Sequence, residues 1–179
     1  MKRLLLIIIG YLGIMTSTAN AENLDNLLYL QLKDGTVIIE MRPDLAPLHV
    51  ARIKELVQQK FYDGLKFHRV IEGFIAQTGD PNGNGTGGSG VHLPAEFSKE
   101  PHVRGTVSMA RANDINSASS QFFICFANAR FLDGQYTVWG QVIQGMEFVD
   151  KIKRGNPNDN GSVNDPDRII SMRLASDKD

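Results

Sequence analysis

The chain predicts an all-β-dominated fold: a closed eight-stranded antiparallel β-barrel capped by two α-helices. Three observations carry that expectation. Eight short segments of strand-like composition are separated by Gly, Asn, Ser and Asp turns. Only two stretches place apolar residues at helical spacing. Closing such a sheet also removes free edges that would otherwise recruit other strands.

Taken in order, residues 28–32 and 36–41 flank Lys33-Asp34-Gly35, whose glycine can take the backbone conformation of a tight turn, and together read as a β-hairpin. Asp44-Leu45-Ala46-Pro47 starts a helix, with proline tolerated in its first turn, and Val50, Ile53, Leu56 and Val57 mark one apolar face to about Gln59. Strands over 66–71 and 74–77 lead into a glycine-rich stretch, 79–90. Residues 83–88 formally match a dinucleotide-binding glycine pattern, but that pattern works by setting a helix N-terminus under a phosphate, and no helix is predicted there. The stretch reads instead as a loop that turns sharply and lets its backbone approach a partner. Strands over 105–110, 120–127 and 137–142 follow, then a short helix over 146–153 with Phe148, Val149 and Ile152 on one face, and a last strand over 168–174. The helices are expected to plug the two ends of the barrel.

Lys2-Arg3, an apolar run from Leu4 to about Met15 and Ala19-Asn20-Ala21 have the order of a signal peptide: charged, apolar, then small-x-small. The run is shorter than the roughly 20 residues of a membrane span. Residues 1–21 are therefore read as removed on export, most simply to a periplasm, leaving 22–179 as one domain without membrane attachment. A formal charge of −1 and the lack of a basic block give no reason to expect nucleic acid or anionic lipid. The single cysteine, Cys125, cannot form an intramolecular disulfide and sits in an apolar run, as a buried structural thiol would. Neither heptads nor an exposed sticky strand is evident, and a monomer is expected.

Arg69 stands out chemically. It is a permanent cation in Phe67-His68-Arg69-Val70-Ile71-Glu72-Gly73-Phe74-Ile75-Ala76-Gln77, with no nucleophile, base or metal cage around it. Ser119-Ser120-Gln121-Phe122-Phe123-Ile124-Cys125 again sets one amide beside aromatics, and the two segments suggest a shallow apolar pocket holding one fixed charge. Strand alternation puts Phe122 and Phe123 on opposite faces, so at most one of them lines that pocket. His49, His68, His92 and His102 lack the spacing of a metal set. Ser119 and Ser120 lack a nucleophile elbow and read as turn serines. Lys151, Lys153 and Arg154 read as solvated charges complementing a helix dipole.

Five ordered blocks resemble the cyclophilins: Phe67 through Asp80, Gly85-Thr86-Gly87-Gly88, Gly105 through Ala110, Ser120-Gln121-Phe122-Phe123-Ile124 and Leu132-Asp133-Gly134. The resemblance covers nearly all of 22–179 and is closest to the bacterial exported type. It implies a peptidyl-prolyl cis-trans isomerase that needs no cofactor and acts on proline-containing polypeptides. It implies Arg69 as the catalytic cation, Phe74, Ile75, Phe123 and Leu132 as lining of a proline pocket, and Gln77 and Gln121 as residues orienting substrate and Arg69. It puts Ala110, Arg111 and Ala112 where peptide backbone pairs. Phe131 stands where the best-known pattern has an indole, and Tyr136 where it has an imidazole, so weak binding of the inhibitor cyclosporin is expected with activity kept. A binding module or holdase chaperone that retains the groove without significant catalysis is the alternative.

Overall fold

A two-residue period in burial shapes the sheet. In the computed structural model, which describes residues 24–177, β1 (Leu27–Leu32) buries Leu28, Leu30 and Leu32, and β2 (Gly35–Met41) buries Val37, Ile39 and Met41. The two strands pair antiparallel with Leu32 opposite Gly35, so the chain reverses at the predicted turn. A Cβ on Gly35 would stand 2.5 Å from the Phe148 ring, which reserves the position for glycine. The signal peptide expected over 1–21 lies outside the described residues.

Six further strands complete one sheet: β3 (Arg69–Ile71), β4 (Ile75–Thr78), β5 (Thr106–Met109), β6 (Phe122–Cys125), β7 (Val138–Gln144) and β8 (Ser171–Leu174). Their order is β3-β4-β6-β5-β7-β2-β1-β8, antiparallel at every step. The eight strands agree with the sequence; the closed barrel does not. β3 and β8 share no ladder; the segments leading into them meet at an isolated bridge between Lys66 and Arg168, flanked by bonds from the Phe67 amide to Asp167 O and the Ile169 amide to Leu65 O, both 2.9 Å. The reason is that β3 is three residues long and its outer edge is already occupied. The Val70 amide donates to Gly161 O and the Gly155 amide to Val70 O, each at 2.8 Å, so the loop 155–163 stands where a neighbouring strand would. The sheet curls into an incomplete barrel with a loop for its seam.

Helix α1 (Pro47–Gln58) begins within the expected start segment, with the proline in its first turn, Ala46 at its N-cap and no side-chain cap of its own. Asp44 is drawn off by Arg42, which donates to both of its carboxylate oxygens at 2.7 and 2.8 Å. The free amides of the first turn are met from a distant loop: Glu96 accepts from the backbone of Leu48 and His49, both at 3.0 Å, and from His49 Nδ1 at 2.6 Å. Helix α2 (Met146–Val149) is shorter than predicted. Beyond Val149 the amides of Lys151 and Ile152 bond three residues back, to Phe148 O and Val149 O, which tightens the turn, and the Lys153 amide leaves the axis for Asp167 Oδ2. The basic residues there are not simply solvated. Arg154 pairs with Glu72 and lies 4.1 Å over the Phe126 ring, Lys153 donates to the carbonyls of Asn164 and Asp165, and Lys151 sits 5.7 Å over the Phe148 ring.

Both helices bury apolar residues in the barrel interior, α1 with Val50, Ile53, Leu56 and Val57, α2 with Val149. Phe122 stands at the centre of that core, edge-on to Trp139 at 5.4 Å and to Tyr62 at 5.6 Å. A second, smaller cluster of Ile75, Phe123, Cys125, Ala129 and Leu132 forms on the other face of β4 and β6. Cys125 belongs to it, fully buried, and burial pushes its thiol pKa up to about 12. Phe122→Ala should therefore empty the larger core and lower the unfolding free energy by about 3 to 5 kcal/mol. Urea denaturation followed by the fluorescence of Trp139, the only tryptophan, measures that loss, with a shifted midpoint and an unchanged slope.

Candidate active site

Register brings the site together. Across the sheet, Arg69 on β3 lies opposite Gln77 on β4, Gln77 opposite Phe123 on β6, and Phe123 opposite Ser108 on β5. Because side chains alternate, this row points away from the barrel core while Ala76, Phe122 and Ile124 point into it. Of the two neighbouring phenylalanines only Phe123 reaches the site, as alternation requires.

A cleft of about 710 Å³ opens on this face. Arg69, Phe74, Ile75, Gln77, Ala110, Arg111, Phe123, Phe131, Leu132 and Tyr136 line it; Gln121 and Ala112 line an adjoining groove of about 420 Å³ that shares Gln77, Gly85, Ala110 and Arg111. All the residues singled out from sequence thus surround one continuous depression. Its apolar wall is built by Phe123, edge-on to Tyr136 at 5.9 Å, and by Phe74, tilted on Phe131 at 5.4 Å. Phe131 is 67% exposed and sits at the rim. Arg111 lies 4.7 Å over the Tyr136 ring and donates from Nε and Nη2 to Gln135 O, tying the segment after β5 to the loop that carries Tyr136. In that segment the amides of Ala110 and Ala112 are already engaged, with Gln121 O and Ser117 Oγ, both at 2.9 Å.

The polar wall is a chain of amides ending on a cation. The Gly-rich loop wraps the Asp80 carboxylate, which accepts from the amides of Asn82, Asn84 and Gly85. Burial alone would raise the Asp80 pKa, but these donors hold it below the ordinary carboxylate value. A Cβ on Gly87 would fall 2.2 Å from Asp80 Oδ1, so the loop can close on the acid only with glycine there. The ordered loop presents the carbonyls of Gly85 and Gly87 to Gln121 Nε2, at 3.0 and 2.8 Å. Gln121 Oε1 then accepts from Gln77 Nε2 at 2.9 Å, and Gln77 Oε1 accepts from Arg69 Nη1 at 3.0 Å. On its other side Arg69 donates from Nε to Asn160 O and from Nη2 to Asn160 Oδ1, both at 3.0 Å. Partial burial moves the Arg69 pKa downward, yet a guanidinium starts so far above neutrality that it remains charged at working pH.

Three contributors escaped the sequence reading. Asn160 is 91 residues from Arg69. His102 supports the pocket floor: its ring stacks on Phe123 at 6.2 Å, its Nδ1 donates to Asp133 at 3.1 Å, and its Nε2 lies 3.0 Å from Ser108 Oγ. His68 lines the cleft beside the Gly-rich loop, and burial lowers its pKa against the pull of Asp80. Spacing that argues against a metal set could not show these contacts; the partners of His102 lie up to 31 residues along the chain. Among the described residues no group of three or more His, Cys, Asp or Glu converges to hold a metal ion. Ser120 is buried with its hydroxyl donated to Gly79 O at 2.7 Å, and Ser119 Oγ accepts from the Ser89 amide, so neither is arranged as a nucleophile.

Residues 27–174 match the family model described as cyclophilin type peptidyl-prolyl cis-trans isomerase/CLD. The chain belongs to the cyclophilin family. It is 56% identical over 172 residues to a probable peptidyl-prolyl cis-trans isomerase of Brucella suis, covering 89% of this chain and 88% of that one. Peptidyl-prolyl cis-trans isomerase B of Bacillus subtilis is 43% identical over 131 residues, 72% of this chain and 91% of that one. Among solved structures, a cyclophilin from Hirschia baltica superposes with a TM-score of 0.77 at 29% identity, over 96% of this chain and 83% of that one. A Cryptosporidium parvum cyclophilin-type isomerase, crystallised in the presence of the dipeptide Ala-Pro, gives 0.76 at 26% identity, over 84% and 99%. This cyclophilin is accordingly a peptidyl-prolyl cis-trans isomerase.

The floor of the cleft carries an acid sensitivity. Hydrogen bonds from the His102 amide and then from Arg130 and the His102 ring lower the Asp133 pKa to about 2, and burial lowers that of His102. Both shifts favour proton uptake by the unfolded chain, so both contributions are complete at neutral pH. That of His102 is lost as pH falls below about 6.5, and that of Asp133 as pH falls from about 4 through 2. Denaturant midpoints measured across this range should decline with acid, and Asp133→Asn should flatten the lower limb.

Proposed function

We propose that this cyclophilin accelerates X–Pro rotation by favouring the twisted amide, with Arg69 as the group that meets it. Amide resonance raises a barrier of roughly 18 to 20 kcal/mol, while the cis and trans states of an X–Pro bond differ by only about 1 kcal/mol. Neither end state needs help; the twisted state does. As the bond turns, the prolyl nitrogen becomes pyramidal and regains a lone pair that accepts a hydrogen bond. The observation that carries the reading is the position of Arg69, a fixed cation at the edge of an apolar cleft, oriented from both sides by hydrogen bonds.

In this mechanism Phe123, Leu132, Phe74, Ile75 and Tyr136 hold the proline ring, Gln77 and Gln121 keep the cation in register, and the segment Ala110-Arg111-Ala112 receives peptide backbone. The Ala-Pro dipeptide used with the related Cryptosporidium protein supports a proline-containing peptide as occupant. Uncatalysed exchange takes on the order of 10 to 100 s. A turnover near 10 per second then asks for roughly 3 to 4 kcal/mol. One charge-assisted hydrogen bond contributes about 1.5 to 3 kcal/mol, and exclusion of water from the cleft contributes the remainder. No proton is transferred at any step.

Export and folding of exported proteins are part of the same proposal, resting on Lys2-Arg3, the apolar run and Ala19-Asn20-Ala21. Action as a monomer is supported by the loop over the β3 edge, which leaves that strand no room to recruit another chain. Weak cyclosporin binding follows from Phe131, a rim residue with no N–H to donate, while the one indole, Trp139, is buried in the barrel core.

Arg69→Ala should lower kcat/KM on an X–Pro peptide by about 10- to 100-fold, the worth of one charge-assisted bond, in a protease-coupled or NMR exchange assay. The wild-type profile should be flat from about pH 7 to 9, because no acid or base acts there; a bell-shaped curve is the opposing result. Mass spectrometry of the protein from a fractionated cell should find a mature N-terminus at Glu22 in the exported fraction.

A further inference from the structure

We propose that Asn160 is the positioning residue for Arg69, and that its left-handed backbone exists to aim two acceptors at one guanidinium. This rests on the reading of Arg69 given above. A guanidinium carries five N–H donors in a rigid fork. Here Nε is bound to the main-chain oxygen of Asn160, Nη2 to its side-chain oxygen and Nη1 to Gln77. That pattern leaves one N–H free on each terminal nitrogen to face the cleft. Fixing Nε and Nη2 on one residue also stops the fork from turning about its Nε–Cζ bond, which Gln77 alone, holding one Nη, does not do.

The local chain is built around this geometry. Asn160 follows the 3₁₀ turn Pro157–Asp159 with φ 47° and ψ 31°, a region costly for most L-residues but tolerated by asparagine. The turn is closed internally, by Asn156 Oδ1 accepting from the Asn158 amide and Asn156 O from the Gly161 amide, both at 2.9 Å. It is then pinned to β3, the strand that carries Arg69, by the bonds between Val70 and Gly155 and Gly161. A Cβ on Gly155 would lie 1.8 Å from Gly161 O, and one on Gly161 2.5 Å from Ile71 Cγ1, so both glycines are needed for the loop to sit this close. Asn160 itself is exposed and buries little apolar surface. Its two oxygens serve Arg69 rather than the core.

The test uses Asn160→Gly, which keeps the left-handed backbone and the main-chain acceptor but removes Oδ1, beside Asn160→Asp, which keeps a side-chain acceptor. In the full mature chain, Asn160→Gly should lower kcat on the order of 10-fold, with KM within about twofold and an unchanged thermal midpoint, the signature of an interaction used in the transition state. Asn160→Asp restores the acceptor and should again hold the fork, but its added charge against the cation should keep kcat below that of the wild type. By NMR, the wild-type Arg69 Nη protons should resolve because the fork is held, and should average in Asn160→Gly. Wild-type kcat in the glycine variant, a lowered thermal midpoint accounting for the loss, Arg69 Nη protons that average in the aspartate variant, or equally free rotation in the wild type and the glycine variant would each overturn the proposal. The NMR result is independent of turnover, so an inactive wild type, which would overturn the mechanism assigned to Arg69, remains distinguishable from a failed clamp.

Discussion

One hydrogen-bond chain determines what this face of the sheet can do. It runs from the carbonyls of Gly85 and Gly87 through the amides of Gln121 and Gln77 to Arg69, and is terminated by Asn160. Each glutamine accepts on one side and donates on the other, so the direction of every member is dictated by its neighbour. A partly buried guanidinium has lost hydration and needs acceptors in return; amides supply them without cancelling its charge, as a carboxylate would. The cation is therefore held still and left electrostatically uncommitted.

That chain works because strands β4 and β6 serve two clusters at once. Ala76, Phe122 and Ile124 are locked in the barrel interior, and the opposite side chains, Ile75, Gln77, Phe123 and Cys125, have no freedom to move along the strand independently of them. Rigidity in the core becomes precision on the surface. The cleft inherits its floor from His102 and Asp133 and its rim from loops tied down by Arg111.

The incomplete closure of the barrel is tied to the same site. A continuous β3–β8 ladder would occupy the edge of β3 that the loop 155–163 now uses, and Asn160 would have no place beside Arg69. The seam that looks like a defect of the barrel is where the cation gains two of its three hydrogen bonds.

Much of this was legible in the sequence because it rests on short-range periodicity. Alternation located the strands and separated Phe122 from Phe123, helical spacing located α1, and the glycine of the first hairpin located its turn. The length of α2 was not legible, since the i−3 bonding after Val149 and the pull of Asp167 on Lys153 come from tertiary packing. Nor was the cap of α1, because Glu96 arrives from 48 residues beyond Leu48. The ordered blocks marked Arg69 and its amide neighbours as a site, but residues such as Asn160 and His102 acquire meaning only when the chain folds back over long separations. Local pattern depends on the nearest few side chains and is written into the order of residues; the partner of a buried ring or a guanidinium depends on which distant loop the closed sheet brings alongside it.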